Sequence, residues 1–329
     1  MKEQLIEFLA VGVSSFILTA VLCHYIIPIL RRKKIGQAIR EEGPDWHKSK
    51  AGTPTMGGIC FIMAIMIALL GATVWYAVKG EQRSLIPLAL TMALAVMNGM
   101  IGFVDDYCKL LKKQNEGLTA RQKFLLQLVV AIIYVVLLKL LGYVNTALHI
   151  PFTEIYVELG AVYYIFAVIL IVGIVNSVNL TDGVDGLAST VTLVVAGFFA
   201  LVAFRFANPS LTLISGGLIG AMIGFLIFNL NPAKVFMGDT GSLFLGGAVT
   251  GAAFIINEPM IIFIVGGIYV LESVSVILQV LCFKTLHRRI FKMAPIHHHF
   301  EKSGWKENKV VAVFSLVTLA LCVVAWFGL

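Results

Sequence analysis

The sequence has few charged residues, since Asp, Glu, Lys and Arg make up only 13% of its 329 positions. A soluble domain carries about 25%. Hydrophobic residues account for 59%, and they form long continuous runs rather than an alternating pattern. Only helices and closed barrels satisfy their backbone hydrogen bonds in lipid, and continuous runs of about 20 apolar residues indicate helices. The composition therefore excludes a soluble enzyme and predicts an all-α membrane protein.

Cysteine is also scarce, and none of the five cysteines forms a Cys-x-x-Cys pair. This spacing excludes a disulfide framework and a structural zinc site. The apolar stretch at the N-terminus is too long for a cleavable signal peptide and is followed by the basic run Arg31 to Lys34. We therefore expect it to remain as the first membrane span.

The apolar runs predict about ten transmembrane helices in a single domain that covers residues 1–329. They lie near residues 5–30, 56–78, 85–104, 121–142, 159–179, 188–205, 211–230, 241–257, 259–283 and 307–328. With the N-terminus placed outside, 20 of the 25 Lys and Arg residues fall on the inner side, as the positive-inside rule requires. An even number of spans then puts both termini on the periplasmic side. The longest outer loop, about 143–158, is expected to form a small hairpin or a surface helix.

All the aspartates fall on this inner side, whereas the outer loops carry only glutamates. The aspartates are Asp45, Asp105, Asp106, Asp182, Asp185 and Asp239. Short carboxylates delivered by several separate inner loops indicate one convergent site on the cytoplasmic face.

Three motifs carry most of these aspartates. Asp105 and Asp106 end an apolar helix, where the helix dipole disfavours negative charge, so a metal ion or lysines must offset them. A second motif spans 176–187 and repeats polar residues every three positions across a helix end. A third motif, 228–243, places Asp239 just before a helix that begins with Gly, Thr and Ser, which suits phosphate binding. A plain N-cap is the alternative role for Asp239.

Basic and imidazole groups accompany the carboxylates. His297 to His299 lie among Arg and Lys and lack the spacing and cysteines of a zinc site, which favours contacts with phosphate or sugar oxygens. Lys48, Lys50 and Thr53 precede the second span and are candidates for binding phosphate. A solvated loop beside anionic lipid is the alternative for that segment. Glu272, in mid-span, is expected to hydrogen-bond inside the bundle and to shape the site indirectly.

Carboxylates, cationic loops and glycine turns at one membrane face are typical of Mg²⁺-dependent phosphoryl transfer, with a lipid as one substrate. A cation-coupled transporter is the alternative, but its polar residues would lie at mid-depth on broken helices, where only Glu272 is expected. No nucleic-acid partner is expected.

Four motifs, in order along nearly the whole chain, resemble those of the polyprenyl-phosphate N-acetylhexosamine-1-phosphate transferases. They are Asp105-Asp106 after an apolar helix, NxxNLTDGxDGL at 176–187, FMGDTGS at 236–242 and APIHHHFE at 294–301. The resemblance implies transfer of phospho-N-acetylmuramoyl-pentapeptide from a UDP-linked donor, UDP-MurNAc-pentapeptide, to undecaprenyl phosphate. The products would be lipid I and UMP, in peptidoglycan synthesis. It also implies Mg²⁺, a homodimer in the inner membrane and a cytoplasmic active site. A sister enzyme that uses UDP-N-acetylglucosamine is the alternative, although the triple histidine favours the muramoyl donor.

The resemblance also implies a role for each matching residue. Asp239 would be the magnesium ligand, Asp105 the base that deprotonates the lipid phosphate, and Asp106 a supporting acid or a group that positions the substrate. Direct attack and a covalent intermediate both fit this set. The residues implied near the pyrophosphate are Asn176, Asn179 and Asp182, and those implied for the uridine pocket are Lys48, Gly183, Val184, Asp185, Asn229 and Phe236. Lys109 and Lys123 would contact phosphate, and Arg121 is the alternative to Lys123. His297, His298 and His299 would contact phosphate or the donor sugar. His298 is counted among the catalytic groups, and Asp45 is given no role.

Overall fold

The computed structural model describes residues 1–32, 52–112 and 117–329. Within these ranges the helices are α1 Lys2–Arg32, α2 Gly58–Lys79, α3 Ile86–Lys112, α4 Ala120–Leu140, α5 Ala161–Thr181, α6 Leu187–Arg205, α7 Pro209–Asn229, α8 Gly238–Ile255, α9 Ile262–Val265, α10 Gly267–Leu286, α11 Ile296–Glu301 and α12 Glu307–Trp326. Short 3-10 helices cover Gln82–Leu85 and Pro259–Ile261, and the strands are β1 Ala147–His149 and β2 Tyr156–Glu158.

Nine helices of the described part of the chain are long and apolar enough to cross a membrane, namely α1 to α7, α10 and α12. The predicted all-α polytopic fold is therefore confirmed. The span expected near 241–257 corresponds to α8, which is not among the nine, has only 18 residues and begins with the polar stretch Gly238 to Ser242. Every residue of α8 from Thr240 to Phe254 is buried, so the helix is enclosed by protein rather than exposed to lipid.

The span expected at 259–283 is interrupted near its start. A 3-10 turn begins at Pro259, α9 ends at Val265, Gly266 follows, and α10 starts at Gly267. Proline lacks the amide hydrogen that a helix interior requires, and glycine costs a helix about 1 kcal/mol relative to alanine. The continuous part of this span is therefore α10, which runs on to Leu286.

The buried helix α8 is surrounded by α2, α3, α5 and α6. Its closest approach to α3 is made at Gly102, where an added Cβ would lie 2.1 Å from the carbonyl oxygen of Asp239. Only a residue without a side chain permits this contact. The contact brings the end of α3, with its two aspartates, against the first turn of α8.

The loop at 143–158 forms the hairpin rather than the surface helix. β1 and β2 pair antiparallel, with Leu148 opposite Val157. His149 links the hairpin to the turn after α8, because its Nδ1 lies 2.9 Å from Glu258 Oε2. Its Nε2 lies 2.8 Å from the carbonyl oxygen of Thr153, within the hairpin itself.

Candidate active site

Three carboxylates from two distant parts of the sequence meet where α3 approaches α8. Asp105 and Asp106 stand in the last two turns of α3, and Asp239 stands in the first turn of α8. One oxygen from each of them lies within 4.8 Å of the others, and Asp105 and Asp106 are buried whereas Asp239 is partly exposed. We call these three residues the carboxylate cluster.

Asp106 is held by the N-terminus of α8. Its Oδ2 accepts hydrogen bonds from the backbone N of Thr240 at 2.9 Å and from Thr240 Oγ1 at 2.7 Å, and its Oδ1 accepts one from the backbone N of Asp239 at 3.3 Å. Gly238 makes room for it with a φ of 71°, and a Cβ there would lie 2.5 Å from Asp106 Oδ2. The positive end of the helix dipole also favours a carboxylate here.

Two lysines neutralise the carboxylate cluster. Lys109 Nζ lies 2.6 Å from Asp105 Oδ2, 2.9 Å from Asp239 Oδ2 and 4.0 Å from Asp106 Oδ1. Lys123 Nζ lies 3.1 Å from Asp239 Oδ2. Arg121, the alternative to Lys123 in the sequence, is exposed, so the geometry places Lys123 and not Arg121 at the cluster.

Local structure at the start of α4 fixes Lys123 and Asp105 together. Thr119 and Gln122 form a capping box, in which the backbone N of Gln122 donates to Thr119 Oγ1 and the backbone N of Thr119 donates to Gln122 Oε1. The preceding residue, Leu118, donates its backbone N–H to Asp105 Oδ1 at 2.8 Å. The helix start thus supplies one donor to the cluster and sets the position of the lysine.

Asp239 is the carboxylate of the cluster that ionises most readily. Burial opposes its ionisation, but a hydrogen bond with Asp105 and the positive charges of Lys123 and Lys109 outweigh burial and hold the pKa of the Asp239 carboxyl well below its usual range. Asp239 is therefore an anion at neutral pH, as a metal-ligating carboxylate must be.

The donor set of the cluster fits Mg²⁺, which binds carboxylate oxygens and water in preference to nitrogen and sulfur. The ammonium group of Lys109 already bridges Asp105 and Asp239, so the geometry accepts positive charge between them. With the oxygens of Asp239 given to a metal ion, Lys109 and Lys123 would be left to bind phosphate.

The end of α5 contributes two asparagines with different surroundings. Asn179 Nδ2 donates to Asp239 Oδ1 at 2.7 Å and to Ser242 Oγ at 2.8 Å, so Asn179 belongs to the cluster. Asn176 instead donates to Gln127 Oε1 at 2.7 Å and lies outside it. Asn176 and Lys123 line an open cleft of about 430 Å³ beside the cluster. Asp182 follows as the C-cap of α5.

The residues implied for the uridine surround the loop before α8. Asp185 Oδ2 accepts hydrogen bonds from Asn231 Nδ2 and the backbone N of Ala233 at 3.1 and 3.0 Å. Asn229, which is buried, accepts from Ser189 Oγ and donates to the carbonyl oxygen of Val235. Both side chains thus support the loop from inside, and their role in binding uridine stays a prediction.

Phe236, on the same loop, pairs with the segment before α2. Its backbone N donates to the carbonyl oxygen of Pro54 and its carbonyl oxygen accepts from Gly57 N, both at 2.8 Å. This pairing places Thr53 beside the loop, with Phe236 itself partly exposed, while Gly183 and Val184 lie on the turn that also carries Asp185. Lys48 and Asp45 lie outside the described residues.

The three consecutive histidines have three different environments. His297 is fully buried with Nδ1 3.0 Å from Glu272 Oε2. His298 Nδ1 lies 2.7 Å from Glu301 Oε2. His299 Nδ1 accepts the backbone N–H of Lys292 at 3.1 Å. Glu272 therefore hydrogen-bonds inside the bundle, as expected, and its partner is the first histidine of the triplet.

Several residues at the site had no role in the sequence analysis. Thr240 and Ser242 belong to the FMGDTGS motif, but the motif does not reveal that they hold Asp106 and Asn179. Gln127 contacts Asn176 and is buried. The sequence did contain one indication that Gln127 matters. It is a single amide side chain in an apolar span, where polar groups are costly and tend to have a partner.

Comparison with known proteins gives consistent results along the chain. The model of glycosyl transferase family 4 matches residues 88–257, and phospho-N-acetylmuramoyl-pentapeptide-transferase signature 1 matches residues 50–62. The protein of that name from Staphylococcus carnosus is 43% identical over 320 residues, covering 96% of this chain and 98% of its own. Its counterpart in Clostridium acetobutylicum is 46% identical over 318 residues, covering 96% of both chains. The Staphylococcus aureus protein (strain bovine RF122) is 45% identical over 317 residues, covering 95% and 97%.

Proposed function

The chain belongs to the phospho-N-acetylmuramoyl-pentapeptide-transferase family, and from that premise we propose that the carboxylate cluster is where it carries out the transfer. The reaction moves phospho-N-acetylmuramoyl-pentapeptide from its UDP-linked donor to a lipid carrier in peptidoglycan synthesis. The observation that carries the proposal is the meeting of Asp105, Asp106 and Asp239 with Lys109 and Lys123 at one place. Undecaprenyl phosphate is the proposed lipid acceptor and UMP the proposed leaving product.

Mg²⁺ is the proposed cofactor, with Asp239 as its main protein ligand. The ion would neutralise the donor pyrophosphate and so stabilise the charge on the departing UMP. Lys109 and Lys123 now contact Asp239. With the ion bound to this carboxylate, the two lysines would bind the phosphate oxygens of the substrates instead. Asn179 donates to Asp239 Oδ1 and so fixes the orientation of the carboxylate.

Asp105 is the proposed base for the lipid phosphate. It stands next to Lys109, and the backbone N–H of Leu118 fixes one of its oxygens. Its other oxygen, Oδ2, contacts Lys109 Nζ at 2.6 Å and would take a proton from the acceptor once Lys109 binds phosphate. Asp106 accepts hydrogen bonds from the first turn of α8, which gives it the supporting role of joining α3 to α8.

The site is proposed to face the cytoplasm and the protein to sit in the inner membrane as a homodimer. The distribution of Lys and Arg supports the orientation, since 20 of 25 fall on the side that also holds the aspartates. The resemblance to dimeric transferases supports the second copy, and the mass of the detergent-solubilised protein from light scattering tests it.

The test of the function uses the purified protein in detergent with UDP-MurNAc-pentapeptide and undecaprenyl phosphate. We expect UMP and a lipid-linked sugar in equal amounts, no UMP when the lipid is omitted, and no UMP after chelation until Mg²⁺ is restored. UDP-N-acetylglucosamine serves as the competing donor. Equal turnover of UDP-N-acetylglucosamine would favour the sister activity for this chain. UMP formation in excess EDTA would contradict the magnesium site.

A further inference from the structure

Glu272 is a carboxylate buried in the second turn of an apolar helix. It stands on α10 with none of its surface exposed, and its Oε1 has no hydrogen-bond partner among the described residues. A charged group in a membrane span is costly and is usually tied to function. Among the described residues, its side chain hydrogen-bonds only with His297, whose Nδ1 lies 3.0 Å from Oε2. The carboxylate therefore acts on the histidine rather than on a substrate.

The contact with Glu272 determines which nitrogen of His297 remains available to bind a ligand. A carboxylate accepts hydrogen bonds, so Nδ1 carries the hydrogen and the ring cannot rotate without losing this bond. The other nitrogen, Nε2, is buried and has no partner in the described part of the chain. A buried polar nitrogen without a partner costs about 1–3 kcal/mol, so its presence calls for a ligand that completes it.

Nε2 of His297 faces the glycine turn that follows α5. A Cβ added to Gly183 would lie 2.2 Å from Nε2, so the ring edge rests directly on this turn. The turn is joined through the end of α5 to Asn179, whose amide contacts Asp239. The His297 ring thus lies between Glu272 and the turn at Gly183, which the resemblance implies in binding the donor.

We propose that Glu272 is a positioning residue for the transfer reaction, fixing the ring of His297 so that its Nε2 is presented to a phosphate or sugar oxygen of the donor at the Gly183 turn. The proposal rests on the proposed function and adds to it a residue that acts only through another. Removing one partner of a buried charged pair destabilises a fold. The positioning role is therefore measured as kcat in variants that are shown to be folded.

The experiment measures kcat and the donor KM for Glu272→Gln, His297→Asn and the double variant. Glutamine keeps the shape of Glu272 and removes its charge, and asparagine keeps a donor at the position of Nδ1 but has no group at Nε2. We expect Glu272→Gln to lower kcat by roughly 10- to 100-fold, the range for partners that orient a histidine, with the KM within about twofold. The double variant should be no slower than His297→Asn alone, because two residues that act as one unit are not additive.

Ser275→Ala is the matched control on the same helix. Ser275 is buried like Glu272, and its hydroxyl contacts only the backbone oxygen of Glu272 in the described structure. It should keep the wild-type kcat. If Glu272→Gln fails to fold in detergent, Glu272→Asp takes its place with the same expected loss, since it keeps the charge but withdraws the carboxylate by one carbon.

Two results would overturn the inference: a wild-type kcat in the folded Glu272 variant, or losses that multiply in the double variant, which would mean that Glu272 acts without His297. An equal loss in Ser275→Ala would overturn it as well. Failure of the proposed function is a separate outcome, because it would appear as a wild-type protein that releases no UMP.

Discussion

The three residues of the carboxylate cluster are held in three different ways. Asp106 is fixed by the first turn of α8, Asp239 by two lysines and Asn179, and Asp105 by Lys109 and the backbone of Leu118. Apart from the Lys109–Asp105 contact within α3, these partners lie on other segments of the chain, which is why the motifs alone do not reveal them. The difference in surroundings gives the residues different tasks.

The hydroxyl of Thr240 is the simplest single group to test at this scale. Thr240→Val keeps the shape but removes the hydrogen bond to Asp106, and a hydrogen bond to a charged group is worth about 1.5–3 kcal/mol. We expect kcat/KM for transfer to fall about 10- to 100-fold, because about 1.4 kcal/mol corresponds to a factor of ten. Thr240→Ser, which keeps the hydroxyl, should stay near wild type. Equal activity of the valine and serine variants would show that this bond does not support the site.

The sequence revealed the residue types at the site better than their contacts. The Asp105-Asp106 pair, Asp239 and Asn179 were predicted as members of one site, and the fold brings them together. Asn229 and Asp185 were expected in a uridine pocket, which stays a prediction, and the structure adds that both side chains hydrogen-bond to the loop before α8. A motif records which residues are present, whereas the direction of a side chain depends on the packing of other elements.

At the scale of elements, the pairing of α3 with α8 creates the site. Periodicity and length predicted most helices, including one near 241–257. They did not reveal that this helix, α8, is enclosed by other helices, because burial depends on the elements packed around it. The hairpin at 147–158 was one of two alternatives for its loop, since alternation over a few residues does not by itself exclude a helix.

Gly102→Ala tests the pairing of α3 with α8. The new Cβ would lie 2.1 Å from the carbonyl oxygen of Asp239, and such overpacking costs about 1–3 kcal/mol. We expect a lower melting temperature in detergent and a loss of most UMP release, because the two halves of the cluster would move apart. Gly173→Ala on α5 is the matched control, since a Cβ there meets nothing within 4 Å. Comparable losses in both variants would contradict the role of the α3–α8 contact.

The hairpin provides a pH-dependent contact on the other side of the molecule. Burial lowers the pKa of His149, but hydrogen bonds to Thr153 and Glu258 outweigh this and raise it overall. The stabilisation is therefore complete below the usual histidine pKa of about 6.5 and is lost as the pH rises through the raised value. Burial also raises the pKa of Glu258 and outweighs the contact with His149, which lowers it.

Hydrogen exchange of the amides of 147–158 measures this effect. After correction for the intrinsic rate, we expect their protection to fall several-fold between about pH 6 and pH 9. His149→Asn should remove most of the pH dependence. An unchanged slope in that variant would assign the effect to other groups.

At the scale of the whole molecule, the distribution of charge predicts which face of the membrane holds the site. The family and the all-α fold are established, whereas the orientation follows only from the count of basic residues. Thiol labelling with a membrane-impermeant maleimide tests it. We expect Ser303→Cys, near the histidines, to react only in inverted vesicles and Glu154→Cys, in the hairpin, to react in intact cells. The parent protein with its five native cysteines sets the background. The reverse pattern would place the cluster outside.

The central claim is that the carboxylate cluster carries out the transfer, and Asp105→Asn tests it most directly. The measurement pairs UMP release with calorimetric binding of UDP-MurNAc-pentapeptide to the same preparation, and Glu81→Gln, an exposed carboxylate distant in sequence, serves as the control. Asparagine keeps the size of Asp105 and its contact with Leu118 but cannot take a proton. We predict that Asp105→Asn binds the donor like wild type and releases no measurable UMP. Normal turnover by Asp105→Asn would contradict the account.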